Sequence, residues 1–416
     1  MNIYSVLRPI AFATLMGVAA LRAGQQPGPA GVVALTHAQV LDVATGALMR
    51  DATVVVRGGK IVSLGTEAPP TGAETIDVRG KVVMPGLIDA HAHIADLPGA
   101  RTALLSGVTT ARSAGVGMYA DVALRELVKS GRLAGPDILA AGVHIQPNFE
   151  NNNDVLSDPR MFEFLDGIRT ADQARRATQV NLDHNVDVIK TSATDRAGTA
   201  DTDPRHFLLD EAELRAVVET ASARGIPVET HAHGDEGAAN AVRAGVRSIE
   251  HGTYLSEATL TLMKEKGVWF VPTYSGVVDI GDVGGDYDDP RLEIRGRHML
   301  PQLRFTIRQA VRIGVRFAAG ADTEYSSRSV SRIAGEVAHL ADAGLTPLAA
   351  IQAATSAAAE LLGVEKSTGT VRPGLDADLL VVDANPVERV FVLEDPLLIM
   401  SNGRIVLNRL DPAAHR

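Results

Sequence analysis

The 416 residues include no cysteine. That absence excludes disulfides, thiolate zinc sites, a thiol nucleophile and lipid attachment through cysteine. Any metal must be held by histidine, carboxylate or a modified side chain. Aromatic residues are scarce as well, at 4% with one tryptophan, so the core has to be packed by Val, Leu, Ile and Ala, which points to α/β layers. Basic residues are outnumbered, 40 Lys and Arg against 50 Asp and Glu, for a formal charge of −10. No basic stripe stands out, which argues against a nucleic-acid partner, since such binding needs clustered Lys and Arg. Beyond the N-terminal region there is no uninterrupted apolar run of about 18 residues, so the body of the chain has no membrane-spanning helix.

What is present begins with a stretch over residues 1–23 that reads as an export signal, with an uncleaved N-terminal membrane anchor as the alternative. Arg8 precedes "PIAFATLMGVAAL", a run short for a bilayer, and small residues follow, so cleavage is expected near Ala20 or Ala23. The expected location is periplasmic or secreted, with no membrane attachment once the signal is removed.

Residues 31–84 alternate apolar runs with turns, and Gly58-Gly59 is a hairpin signal. Residues 363–410 have the same texture, so the two ends are expected to form one small β-sandwich domain. Residues 85–362, inserted between them, alternate short strands ("GLIDAHAH", "GVTTARSAG", "DILAAGVHI", "VDVIKTSA", "IPVETHAH", "RSIEHGT", "VWFVPTY", "VRFAAGAD") with helical patterns. Asp210 and Ser256 are positioned to start two of those helices, and Gly225 and Gly267 to stop them. Eight such strands predict an α/β fold, a (β/α)8 TIM barrel. An open doubly wound sheet is the alternative, but no G-x-G-x-x-G follows the first strand.

Barrel active sites lie at the C-terminal strand ends. Those ends carry His91 and His93, Arg112, His144, Lys190, His231, His251, Tyr274 and Asp322 in strand order. Taken singly, each has an ordinary reading: a lone histidine is usually structural, a strand lysine snorkels, and an aspartate can cap a helix. Their joint placement at one mouth favours a metal site. His93 lies two residues from His91, so strand alternation sends both inward. His233, His144, Tyr254 and Tyr274 are candidates to face a substrate. So are Arg196 and Arg205 in the long polar loop after Lys190, which together with the Gly- and Asp-rich loop after Tyr274 is a candidate lid.

The ordered motifs "DAHAH", "VIK", "THAH", "EHG" and "GAD" resemble those of the amidohydrolase superfamily across essentially the whole mature chain. The branch is the one holding metal-dependent dipeptidases of the prolidase type, ochratoxin-hydrolysing amidases and imidazolonepropionase-like proteins. Imidazolonepropionases proper carry a Glu soon after the fifth-strand histidine, where this chain reads "HAHGDEG". The resemblance implies two divalent ions, with zinc expected. His91, His93 and Asp322 would hold one and His231 and His251 the other, with Lys190, carboxylated by CO2, bridging them. It further implies that a hydroxide between the ions attacks a carbonyl while Asp322 shuttles the proton, and that His233 stays off the metals. The expected substrate is a dipeptide or N-acyl amino acid. An ester, lactone or phosphotriester is the competing substrate, and a non-catalytic metal-binding protein is the reading from another class. Homo-oligomerisation is compatible with the sequence.

Overall fold

The computed structural model describes residues 31–147, 152–282, 287, 289–326, 329 and 331–410. The export signal expected over residues 1–23 lies outside the described residues. Five strands open the chain: β1 (Val32–Leu41), β2 (Leu48–Arg57), β3 (Lys60–Gly65), β4 (Glu74–Asp77) and β5 (Val82–Pro85). β2 and β3 form a hairpin whose two turn residues, Gly58 and Gly59, both sit at positive φ. Glycine reaches that region without a Cβ clash, which is why tight two-residue turns select it.

Eight parallel strands follow: β6 (Leu87–Ala92), β7 (Val108–Ser113), β8 (Asp137–Leu139), β9 (Ile189–Ser192), β10 (Val228–Ala232), β11 (Ser248–His251), β12 (Trp269–Val271) and β13 (Arg316–Phe317). They pair in chain order as β6 to β8 and β9 to β13, and two seams close the ring. At one, the Ile145 N–H donates to the Lys190 carbonyl (2.8 Å) and the Ser192 N–H to the Ile145 carbonyl (3.3 Å). At the other, Ala90 donates to Ala319 (2.9 Å), Asp322 to His91 (2.8 Å) and His93 to Thr323 (2.9 Å). This is the (β/α)8 barrel. The regular pairing of β13 covers only two residues of the expected "VRFAAGAD" strand, because the chain leaves β12 there and turns its hydrogen bonds to β6.

Three strands end the chain: β14 (Leu379–Val382), β15 (Leu398–Ser401) and β16 (Arg404–Asn408). β14 pairs antiparallel with β5, so both ends of the chain share one sheet in the order β16-β15-β14-β5-β1-β2-β3, with β4 beside β1. The far edge returns: the Ile61 N–H of β3 donates to the Leu375 carbonyl just before β14. The sheet thus folds over a core that includes Leu35, Val54, Ile61, Val83, Leu379 and Met400.

Helices fill the connections between barrel strands and beyond them, among them α1 (Glu211–Ser222), α2 (Glu257–Lys266), α3 (Tyr274–Ile280), α4 (Pro290–Ile313) and α5 (Ile333–Ala343). α1 starts at a reciprocal Asp210–Glu213 capping box, and α2 runs from a Ser256 cap to Gly267 at φ 68°. These are the start and stop signals in the sequence, and they work by satisfying the end amides and carbonyls. No helix among the described residues is long and apolar enough to cross a membrane.

Candidate metal centre

Strand alternation brings Asp89 and His91 of β6, Lys190 of β9, and Glu229 and His231 of β10 to the barrel interior, all of them buried. Side chains from six strand ends line one pocket of about 480 Å³, including its open mouth: His91 and His93, His144, Lys190, His231 with His233, His251, and Asp322. Two of them reach it through unusual backbone. His251 (φ 74°) and Asp322 (φ 53°) are left-handed, as is Thr273 (φ 48°). That region is uncommon for side-chain-bearing residues and costs about 1–3 kcal/mol at each site where surrounding structure enforces it. At β11 it breaks the alternation, so that Glu250 and the next residue, His251, both enter the interior.

One nitrogen of each ring is fixed by a neighbour. His91 Nδ1 meets Glu250 Oε2 (2.8 Å), His93 Nδ1 the Gly115 carbonyl (2.9 Å) and His251 Nδ1 Thr273 Oγ1 (2.6 Å). His231 Nε2 meets the Asp195 carbonyl (3.1 Å), and His233 Nδ1 meets Thr253 Oγ1 (2.8 Å). Such bonds orient a ring and leave its other nitrogen as a donor for a metal. The Nε2 atoms of His91 and His93 converge on Asp322 Oδ1, at 3.4 and 3.2 Å. Three groups among the described residues have donor atoms within 4.8 Å of one another: His91–His93–Asp322 and His231–His233–His251 line the pocket, while Glu229 and Glu250 of the third, His91–Glu229–Glu250, lie outside its lining. Glycines permit the close approach. A Cβ on Gly320 would lie 2.5 Å from the His91 Cβ, and one on Gly276 2.8 Å from Asp322 Oδ2.

Charge follows burial. Burial, with added repulsion from neighbouring rings and Lys190, pushes His144, His231 and His251 well below the usual imidazole range and His233 down to about 3. Burial thus favours the neutral ring, the form that binds a metal. At His91 burial and Lys190 act downward, but Asp322 and Glu250 outweigh them and the shift is upward. Burial alone would raise Asp322; the facing His91, His93 and His251 hold it well below the carboxylate range. Lys190 is buried, its Nζ has no hydrogen-bond partner, and burial pulls its ammonium down against the attraction of Glu229, Glu250 and Asp322. A buried polar atom without a partner is costly and rare. An added carboxylate facing two cations would satisfy it, so the residues fit two divalent ions and a carboxylated lysine.

The other expected site residues divide between the pocket and its surroundings. Arg196 lines the pocket with Ala197 and Gly198. Arg205 does not: it is exposed and paired with Asp203 (2.9 Å) in a local surface turn. Tyr274 starts α3 on the side away from the pocket, its ring stacked on His339 and its hydroxyl 3.4 Å from Arg304 Nε. The helical turn instead aims Gly276, Val277 and Ile280 inward. Tyr254 is half-buried outside the lining, its N–H bonded to the His233 carbonyl. Arg112 lies beneath the site, donating to the Ala90 carbonyl and Glu250 Oε1 and pairing with Glu229 (2.8 Å). Sequence reasoning missed Glu229, Glu250, Asp89 and Tyr287. The signal available for two of them was an acid two positions before a ligand histidine, at Asp89 and Glu229, which strand alternation places on the same face.

A barrel closed around histidine-rich strand ends, with a sheet joining both termini, defines a metal-dependent hydrolase. A model of the amidohydrolase family matches residues 82–406, and the chain belongs to that family. An ochratoxinase from Aspergillus niger is 26% identical, over 88% of this chain and 84% of its own. A Xaa-Pro dipeptidase with methionine bound in its active site superposes with a TM-score of 0.80 at 27% identity, over 91% of this chain and all of that one. A putative prolidase from Bifidobacterium longum gives 0.80 at 30%, over 90% and 94%. The protein is a hydrolase of carbon–nitrogen bonds that acts on small molecules.

Proposed function

We propose that the protein hydrolyses the amide bond of dipeptides or N-acyl amino acids at a binuclear centre, outside the cytoplasm. The observation that carries this reading is Lys190, its Nζ buried without a hydrogen-bond partner in the pocket lined by His91–His93–Asp322 and His231–His233–His251. Its depressed basicity favours the free amine, the form that would add CO2 with loss of a proton to give a carboxylate able to serve as a metal ligand. His91, His93 and Asp322 would hold one ion, and His231 and His251 the other. Zinc suits such an imidazole and carboxylate set. When bound, the ions supply Lewis acidity toward the scissile carbonyl and activate water near neutral pH.

The chain's own groups do the rest. Asp322, which faces His91 and His93, would take the proton of the attacking water and deliver it to the leaving nitrogen as the C–N bond breaks. Water oxygen ends on the acyl carbon, and the amine departs neutral. Arg196 at the rim supplies a positive charge for the substrate carboxylate. His144, held by Ser192 Oγ (2.9 Å), and His233 line the same pocket and would face the substrate. Ala197, Val277 and Ile280 offer apolar wall to a side chain. Relatives that are a dipeptidase with a bound amino acid and an ochratoxinase support this substrate class.

The test is a panel of dipeptides and N-acyl amino acids assayed with zinc-loaded protein. Hydrolysis of members carrying a free carboxylate, lost on esterification, is expected. Activity confined to lactones or organophosphates would defeat the assignment. Cell fractionation with N-terminal sequencing should find a mature chain outside the cytoplasm, starting soon after Ala20 or Ala23.

A further inference from the structure

The loop after β9 runs over residues 193–210 without regular structure, yet it must hold Arg196, Ala197 and Gly198 against the pocket. A segment of that length has many conformations, and one has to be selected at an entropic cost. A single residue outside the loop does much of the selecting. Arg295, in α4, donates from Nη1 to the carbonyls of Ala197 (2.7 Å) and Thr199 (2.6 Å). From Nη2 it donates to those of Ala200 (3.0 Å) and Thr202 (2.6 Å). All four terminal N–H groups are thereby spent on one stretch of main chain. Among the described residues no carboxylate lies within ion-pair distance of Arg295, so its guanidinium hydrogen bonds go to the loop. Inside the loop, the Thr202 hydroxyl bonds the Arg196 and Thr199 carbonyls and ties the clamped stretch to the pocket residue. On the far side, Gly198 meets Tyr287: a Cβ there would lie 2.4 Å from its ring. The pocket wall is thus fixed from two directions.

We propose that Arg295 is a positioning residue for substrate binding, setting the place of Arg196 to Gly198 in the pocket through the loop carbonyls while leaving the metal ligands untouched. Lysine cannot replace it, because one ammonium with three donors does not span four carbonyls in a planar fork. The substrate part of this inference rests on the proposed amide hydrolysis; the loop part does not.

The experiment uses metal-loaded full-length Arg295→Lys and Arg295→Gln, with hydrogen exchange read on peptides spanning residues 196–204. Expected in both variants are exchange at least about tenfold faster in that stretch, unchanged metal content, a KM raised about tenfold or more and a kcat altered by less than about threefold. Should either variant fold poorly, Thr202→Val weakens the same stretch from within and should give smaller changes of the same kind. Unchanged exchange across 196–204 would overturn the clamp. Faster exchange with unaltered KM would overturn its role in binding, and loss of metal would show that Arg295 supports the centre instead. If no amide on the panel is cleaved, the proposed function fails, while exchange and metal content still decide the clamp.

Discussion

His251 and Asp322 both sit on left-handed backbone, the first at the end of β11 and the second beyond β13, and each has a specific neighbour there. Thr273 Oγ1 holds the first and the close-packed Gly276 abuts the second. Asp322 is then both ligand and proton carrier in the proposed reaction. Asp322→Asn keeps an oxygen donor and removes the basic carboxylate, so kcat should fall by about a hundredfold or more while two ions stay bound. Full activity in that variant would remove the role. His233 poses a different question, since its ring lies 4.9 Å from that of His231 and 4.7 Å from that of His251, little farther than the 4.3 Å between those two. With Nδ1 on Thr253, it has one free nitrogen for a metal or a substrate. If it serves the substrate, His233→Asn retains two ions per chain and loses activity, whereas His231→Asn loses an ion. Metal analysis of both variants decides it.

At the scale of elements, the barrel and its mouth were legible because period-two strands, capped helices and strand-end histidines are local patterns. His91, His93, Lys190, His231, His251 and Asp322 line one pocket because the barrel topology puts successive strand ends on one rim. Glu250 was illegible because it directly precedes His251, so strand alternation would send it to the opposite face; only the left-handed turn at His251 and the pairing with Arg112, more than 100 residues earlier, bring it inside. Tyr274 was misplaced because "VPTY" continues the apolar run of β12, whereas the chain turns left-handed at Thr273 and begins α3. That start has no side-chain cap of its own. Glu336 of α5 replaces one, accepting from the N–H groups of Tyr274 (3.0 Å) and Ser275 (2.7 Å) and from Ser275 Oγ (2.8 Å). It therefore sets the helix whose Gly276, Val277 and Ile280 form a pocket wall. Glu336→Gln turns one acceptor oxygen into a donor amide facing an N–H. This should cost about 1–3 kcal/mol, lower the melting temperature and raise KM. An unchanged KM would show that α3 holds its place without the cap.

The whole molecule is joined where the terminal sheet meets the barrel, and that junction buries acid. Asp378, at the start of β14, accepts from the Asn402 N–H (2.8 Å) and Thr368 Oγ1 (2.9 Å), and its carbonyl receives the Gly86 N–H at the entry to β6. Asp137, opening β8, takes the Asn402 side-chain amide (3.1 Å). Burial pushes Asp378 up to about 7, further helped by the Asp137 charge, and also raises Asp137. The folded state therefore holds these protons more tightly than the unfolded chain. Below about pH 4 both states are protonated and nothing is lost. As pH rises from about 4 toward 7 the unfolded chain releases its proton first, so stability falls through that window and levels off once Asp378 ionises in the folded state. With 3.8 as its ordinary value, the loss is on the order of a few kcal/mol. Asp378→Asn keeps the acceptor for Asn402 and removes the titration. Metal ligation also depends on pH, but equally in both proteins, so the informative quantity is the difference in melting temperature between variant and parent at fixed metal excess. That difference should grow in favour of the variant from pH 5 to pH 8. A difference that stays flat across the range would show that Asp378 is ionised in the folded protein throughout, with the junction stabilising its charge.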